Sequence, residues 1–232
     1  MVTSSEIGAL VKDLKPRFLE GLAEPEVEAI LAPAKQRRYL ANSVVTNQEH
    51  PADHVFLILT GRARHFFITP DGQKTLLLWL PPGEVFGGAA FLSKPVPYLV
   101  STEIVMDSRV LVWDRAAIRG MAAQYPRLVE NALLIAYDYL VGYRTVHVAL
   151  TCHTARQRLA TVLVNLASGI GHEVSGGIEL KVRNEELAST ANITTFTASR
   201  IMSEWERTRM VRKSRGKVLI PSPERLLLED VG

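Results

Sequence analysis

The residues best equipped to contact a polyanion lie together between Thr194 and Lys217. Thr194, Thr195, Phe196, Thr197, Ser199 and Arg200 offer hydroxyls, one aromatic ring and one guanidinium within seven positions. Arg212, Lys213, Arg215 and Lys217 follow as four cations within six. Thr hydroxyls meet bases or phosphates, an aromatic ring meets a thymine methyl, and Arg takes guanine or a phosphate. The charge of the chain agrees. Residues 1–153 carry 15 basic and 15 acidic side chains, whereas residues 154–217 carry 11 basic against 6 acidic. A neutral front and a basic back predict two modules with different partners.

The segment around these residues explains how they would be held. EELASTANITTFTASRIMSEW places Leu187, Ala191, Ile193, Ala198 and Ile201 where two crossing helices touch, with the small Ala188 at the crossing. Asn192 sits at the turn and tolerates the left-handed backbone conformation. Thr194 is placed to cap the second helix, and Asn184, Glu185 and Glu186 suit the start of the first. The pattern is that of a helix-turn-helix whose second helix enters the major groove by its N-terminal residues. The run RMVRKSRGKVLIP, turning at Arg215-Gly216, reads as a hairpin wing whose cations grip the phosphate backbone.

Two other regions must position this module. From Val44 to Trp113 the sequence breaks into short β-branched and aromatic runs, VVT, HVFLILTG, ARHFFITPDG, QKTLLLWLPPG and SRVLVW. Expected breaks fall at Gly61, Asp71-Gly72, Pro81–Gly83 and Lys94–Pro97, the spacing of an antiparallel sandwich or roll. From Pro126 to about His153 the period changes. Leu133, Ala136, Leu140, Tyr143, His147 and Leu150 recur in steps of three and four over roughly three heptads, the stripe of a helix–helix seam. A lone helix with such a stripe predicts a homodimer. After Thr154, ARQRLATVLVNLAS reads as a further helix, GIGHEVSGG as a glycine-marked loop, and IELKV as a short strand.

The same composition excludes other classes. One cysteine, Cys152, rules out a disulfide scaffold and a four-cysteine cluster held by one chain. No apolar run approaches a membrane span and the N-terminus lacks a secretory pattern, so a soluble cytoplasmic protein is expected. There is no nucleophile elbow, P-loop, dinucleotide fingerprint or zinc motif, so no enzyme activity, catalytic residue or metal site is expected.

HVFLILTGRAR, PPGEVFGGAAFL, the PRLVENAL helix start, ARQRLATVLVNLAS and the helix-turn-helix together resemble the cyclic-AMP receptor and fumarate–nitrate regulator (Crp–Fnr) superfamily of bacterial transcription factors. The resemblance spans roughly residues 25–222. It implies an α+β chain: a β jelly-roll sensor domain of the cyclic-nucleotide-binding type over residues 1–125, a dimerisation helix over 126–153, and a winged helix-turn-helix over 154–232. The implied partners are a second copy of the chain and duplex DNA carrying a two-fold operator. RNA polymerase and a small effector are further candidates.

The effector pocket departs from the family pattern. Where cyclic-nucleotide binders carry a ribose-holding Glu, this chain has Gly88. Where they carry a phosphate-holding Arg, it has Tyr98. A phosphate without its cation loses a charge-assisted bond of roughly 1.5–3 kcal/mol, so cyclic AMP is not the expected effector. The remaining positions, Phe86, Gly87, Leu99 and Tyr143, suit a neutral or aromatic ligand, or a pocket filled by its own side chains. No cofactor is expected, although the family's haem sensors keep His54, His65 and His147 as candidate ligands. The reading helix departs as well, with Thr195 and Phe196 where many relatives carry Arg and Glu. The alternative reading is a protein-interaction, small-molecule or haem sensor module of the same fold with weak or relic DNA binding.

Overall fold

A run of apolar residues with no polar alternation needs cover on both faces, and Val55 to Leu59 is such a run. In the computed structural model, which describes residues 4–214 and 216–228, these residues begin the longest strand of the chain. The order is α1 (Ser4–Leu14), α2 (Glu24–Leu31), β1 (Lys35–Tyr39), β2 (Val44–Thr46), β3 (His54–Ile68), β4 (Lys74–Leu80), β5 (Val85–Phe86), β6 (Ser101–Asp114) and α3 (Arg115–Gln124). Then follow α4 (Pro126–Cys152), α5 (Ala155–Ile170), β7 (His172–Val174), β8 (Gly177–Leu180), α6 (Asn184–Thr190), α7 (Thr195–Arg207), β9 (Arg212–Ser214), β10 (Lys217–Ile220) and α8 (Pro223–Leu228). The chain divides into two compact units, Met1–Val141 and Gly142–Gly232. The division falls within α4, whereas the sequence places a boundary at its end.

The first unit is an antiparallel six-stranded sheet in the order β1-β6-β3-β4, with β2 on β6 and β5 on β3. Its two long strands pair Val55 with Trp113, Phe56 with Val112, Leu57 with Leu111 and Ile58 with Val110. Period-two alternation then sorts them into two cores. Val55, Leu57, Leu59, Leu111 and Trp113 face the N-terminal helices, with Phe18, Ile30, Ile118, Leu128 and Ile135. Phe56, Ile58, Ala63, Ile104, Val110 and Val112 face the other way and meet Leu80 and Phe86. The Trp113 indole N–H is satisfied by the Ile30 carbonyl at 2.7 Å. The first half of α4 packs on the helix side through Leu128, Asn131 and Ile135. The buried Asn131 amide donates to the carbonyls of Phe18 at 3.1 Å and Glu20 at 2.8 Å.

Two expectations are corrected here. Gly61 does not end a strand: it lies inside β3 at φ +91°, where the pairing with β6 shifts register on either side. A β-bulge needs a residue free of a Cβ at such a place. The glycines after α5 are not a loop either. His172–Val174 pairs with Gly177–Leu180, and Gly176 and Gly177 at φ +97° and +141° make the tight turn between them. The Asp71-Gly72 turn stands as expected, with Gly72 at φ +84° donating to the Thr69 carbonyl at 2.8 Å.

The second unit packs α5 through Leu159, Ala160, Leu163, Leu166 and Ala167, all buried. Its four strands run β7-β8-β10-β9, all antiparallel. The β9–β10 hairpin turns as the sequence predicts, with Gly216 at φ +70°. Arg215, expected in that turn, lies outside the described residues.

A Cβ at Gly61 would stand 2.1 Å from Ser108 Oγ and 2.6 Å from the Asp107 carbonyl oxygen. Gly61→Ala should therefore destabilise the first unit by at least about 2 kcal/mol, from steric overlap together with a left-handed alanine. Urea denaturation of the variant, followed by Trp fluorescence, checks this.

Candidate functional site

The geometry of the reading helix starts at its cap. Thr194 has extended backbone angles, and its hydroxyl accepts from the Thr197 backbone N–H at 3.1 Å. The same hydroxyl lies 2.8 Å from that of Thr197. Asn192 occupies the left-handed region at φ 49°, and the turn closes with Ile193 N–H donating to the Ala188 carbonyl at 3.0 Å. Leu187, Ala188, Ala191, Ala198 and Ile201 are buried as the helix-turn-helix pattern requires. Met202 and Trp205 are buried beside them, two core residues the sequence reading did not single out. Arg158 fastens this corner to α5, its guanidinium donating to the carbonyls of Ala191 at 3.0 Å and Asn192 at 3.3 Å.

The expected base-reading residues divide into two groups. Thr194 and Thr197 spend their hydroxyls on the cap, and Ser199 Oγ accepts from Asn184 Nδ2 at 2.8 Å. All three make hydrogen bonds within the domain, and Thr194 and Ser199 are also exposed. Thr195 and Phe196 are exposed at the helix start. Arg200 is also exposed and sits 3.6 Å from Glu204, whose other oxygen is 2.7 Å from Arg156. The Arg156 guanidinium in turn covers the Trp205 ring at 5.2 Å. Together, Thr195, Phe196 and Arg200 form an outward face backed by a fixed core.

On the wing, Arg212 is exposed, whereas Lys213 and Lys217 are engaged. Lys213 Nζ lies 3.1 Å from Glu206 and 3.0 Å from Ser203 Oγ, and its backbone N–H donates to Glu206 at 3.0 Å. That backbone hydrogen bond, with the Lys213 ammonium, holds the Glu206 carboxyl below its ordinary range. Lys217 Nζ lies 2.9 Å from Glu179. Both lysines anchor the hairpin to the domain, a role the sequence did not reveal.

In the first unit, the segment matching the nucleotide-holding loop is built around Gly87. At φ +83° its missing Cβ leaves room for the His54 carbonyl, which a Cβ would approach to 2.4 Å. Gly88 opens a short 3-10 turn that runs to Phe91. Phe86 is buried and stacks on Phe56 with ring centroids 4.7 Å apart. Tyr98 does not project a free polar group. Its hydroxyl accepts from the His54 backbone N–H at 3.0 Å and donates to the His54 carbonyl at 3.1 Å. Burial pushes the phenol above its ordinary value, so the group is neutral near pH 7. Leu99, expected in the lining, is 81 % exposed. Tyr143 belongs to the second unit.

A polar chain missed by the sequence reading runs through the interior of the roll. His65 is buried, its Nδ1 lies 3.0 Å from Thr102 Oγ1, and that hydroxyl lies 2.8 Å from Thr46 Oγ1. The His65 ring meets Phe86 and Tyr139 edge-on at 6.0 and 6.4 Å. Burial pushes its pKa down to about 4. Among the described residues, no group of three or more His, Cys, Asp or Glu converges as a metal site, and no helix is long and apolar enough to cross a membrane.

A roll of this topology followed by a long helix and a winged helix-turn-helix defines the class of two-module bacterial DNA-binding regulators. Residues 36–125 match the cyclic nucleotide-binding domain family, and residues 157–228 match the Crp-like helix-turn-helix domain family. The chain is 25 % identical over 206 residues to a CRP-like cAMP-activated global transcriptional regulator of Mycobacterium tuberculosis, covering 87 % of this chain and 92 % of that one. It is 26 % identical over 215 residues to the cyclic AMP receptor protein of Thermus thermophilus, covering 92 % and 95 %. The solved structure of FixK2 from Bradyrhizobium japonicum superposes with a TM-score of 0.74 at 20 % identity, covering 86 % of this chain and 98 % of that one. The chain belongs to the Crp–Fnr superfamily of transcription regulators and carries its DNA-binding helix-turn-helix.

His65 gives this unit a signature in pH. The imidazole is neutral when folded down to about pH 4, whereas the unfolded chain takes up a proton near pH 6.5. Between these values the unfolded state binds more protons, so stability present above pH 6.5 is lost as pH falls. The loss should reach about 3 kcal/mol near pH 4. It should be absent from the wild-type-minus-variant difference above pH 7. Urea midpoints of wild type and His65→Gln across pH 4.5–7.5 measure it.

Proposed function

We propose that the chain is a homodimeric, sequence-specific DNA-binding transcription regulator whose sensor roll does not respond to cyclic AMP. The observation that carries the second half is the state of Tyr98. A bound cyclic phosphate needs a cation, and at this position the chain presents a neutral phenol whose hydroxyl is committed to the His54 backbone. Gly88 likewise has no side chain to accept from a ribose hydroxyl. The names of the Mycobacterium tuberculosis and Thermus thermophilus relatives mention cyclic AMP, and at 25–26 % identity the anchors need not carry over.

The homodimer is supported by α4. One face of its first half is buried through Leu128, Asn131 and Ile135. The opposite stripe is exposed along the whole helix, with Leu133 and Leu140 each 65 % exposed and Tyr143 and Leu150 exposed beyond them. Apolar side chains at that spacing lose favourable burial of roughly 1.5–3 kcal/mol each when left in water. A second copy presenting the same stripe covers them isologously. The exposed Thr195, Phe196, Arg200 and Arg212 then serve as the DNA-facing residues, with Lys213 and Lys217 bracing the wing beside the phosphates.

Two measurements test this reading. Leu140→Glu places two like charges at the seam and should convert the dimer to monomer in sedimentation equilibrium, with loss of binding to a two-fold operator. An intact dimer of native stability would overturn the seam. Calorimetry with cyclic AMP or cyclic GMP should show no binding tighter than about millimolar, near −4 kcal/mol. Micromolar affinity would reinstate a cyclic-nucleotide effector.

A further inference from the structure

Phe196 is the most exposed aromatic ring among the described residues, at 78 %. It sits one position after Thr195, the first residue of α7, where helical side chains lean back over the N-terminus. Nothing in its own domain covers it, although the helix buries Ala198, Ile201, Met202 and Trp205 on the other side. The residues around it are polar: Thr195 is exposed beside it, and most of the others have partners within the domain. Thr194 and Thr197 cap the helix, Ser199 is bonded to Asn184, and Arg200 stands beside Glu204. The start of the helix therefore offers an exposed apolar ring among polar side chains. In the major groove the one apolar feature of a base pair is the C5-methyl of thymine.

We propose that Phe196 is a specificity-determining residue that reads a thymine methyl in each half of a two-fold site. This rests on the reading of the chain as a sequence-specific DNA binder. A ring has no donor or acceptor in its plane, so it would not distinguish guanine from adenine by hydrogen bonding. It would distinguish thymine from uracil, which share every hydrogen-bonding group and differ by that methyl alone. Burying one methyl-sized group against the ring corresponds to about fourfold in Kd, or about 0.8 kcal/mol. Two symmetric contacts correspond to about fifteenfold.

The experiment uses the full-length chain and an operator selected from a random duplex pool. Each thymine of the selected site is replaced by deoxyuridine, symmetrically in both halves, one position at a time. Wild type should lose about fifteenfold at one symmetric pair and little elsewhere. Phe196→Ala should bind thymine and uracil versions of that pair equally, and Phe196→Leu should keep part of the discrimination. The deoxyuridine series on wild type stands alone if the alanine variant does not fold. Indifference of wild type to uracil at every position overturns the proposal, as does an undiminished uracil penalty in Phe196→Ala. A pool that yields no preferred sequence overturns this proposal and the sequence-specific reading together, whereas a clear operator insensitive to uracil overturns this proposal only.

Discussion

A single strand that is apolar on both faces constrains the first unit more than any other feature. Val55, Leu57 and Leu59 demand cover on one side and Phe56 and Ile58 on the other, with all five buried. One sheet face cannot satisfy both sets, so the chain must supply a layer of helices on one side and close the sheet upon itself on the other. β6 is the matching partner, and its Val110, Leu111, Val112 and Trp113 repeat the alternation in register. The N-terminal helices, α3 and the first half of α4 are the cover that this demand recruits. That is how a helix facing its own roll on one side comes to present a second apolar stripe on the other.

The DNA-binding unit answers a different constraint, the four unpaired N–H groups at the start of α7. Satisfying them where a helix is to meet DNA uses local hydroxyls, and Thr194 supplies one without a long side chain obstructing the approach. The cost is chemical diversity. A hydroxyl engaged in a cap has one hydrogen-bonding function fewer for any other contact. The arginines and lysines follow the same economy. Arg158 holds the turn, Arg156 holds Glu204 and shields Trp205, and Lys213 and Lys217 fix the hairpin. Several cations of this segment thus have acidic or carbonyl partners within the domain.

Features with a local physical signature were legible before any coordinates. The helix-turn-helix showed through its apolar spacing and Asn192, the α4 stripe through its heptad steps, and the wing through Arg-Gly between short runs. What escaped lacks such a signature. β1, KQRRY, lies before the apolar runs that mark strands, because its residues are exposed or half-exposed and its pairing with β6 is a long-range fact. Gly61 reads as a break because a bulge and a turn both call for a left-handed glycine, and only the partner strand distinguishes them. The buried chain of His65, Thr102 and Thr46 joins residues from three strands, so no window of sequence contains it. Capping hydroxyls and reading hydroxyls are the same residue type, and their roles separate only when partners are known.

The segment from Gly87 to Tyr98 is held in place by neutral groups. A segment built to wrap an anion must place backbone groups close together, a conformation that is costly unless something else secures it. Here the security is internal. Gly87 adopts φ +83° against the His54 carbonyl, and Tyr98 reaches across to bond both the N–H and the carbonyl of the same His54. Backbone pairs from Ala52 to Val96 and from Tyr98 to His50 close the strap behind it. On the other side, Tyr139 of α4 donates to the Val85 carbonyl at 3.3 Å, next to the buried Phe86. Tyr98 is thus tied to β3 by its phenol, and β5 is tied to α4 by that of Tyr139, both through neutral hydrogen bonds. A neutral strap holds its geometry without desolvating a charge.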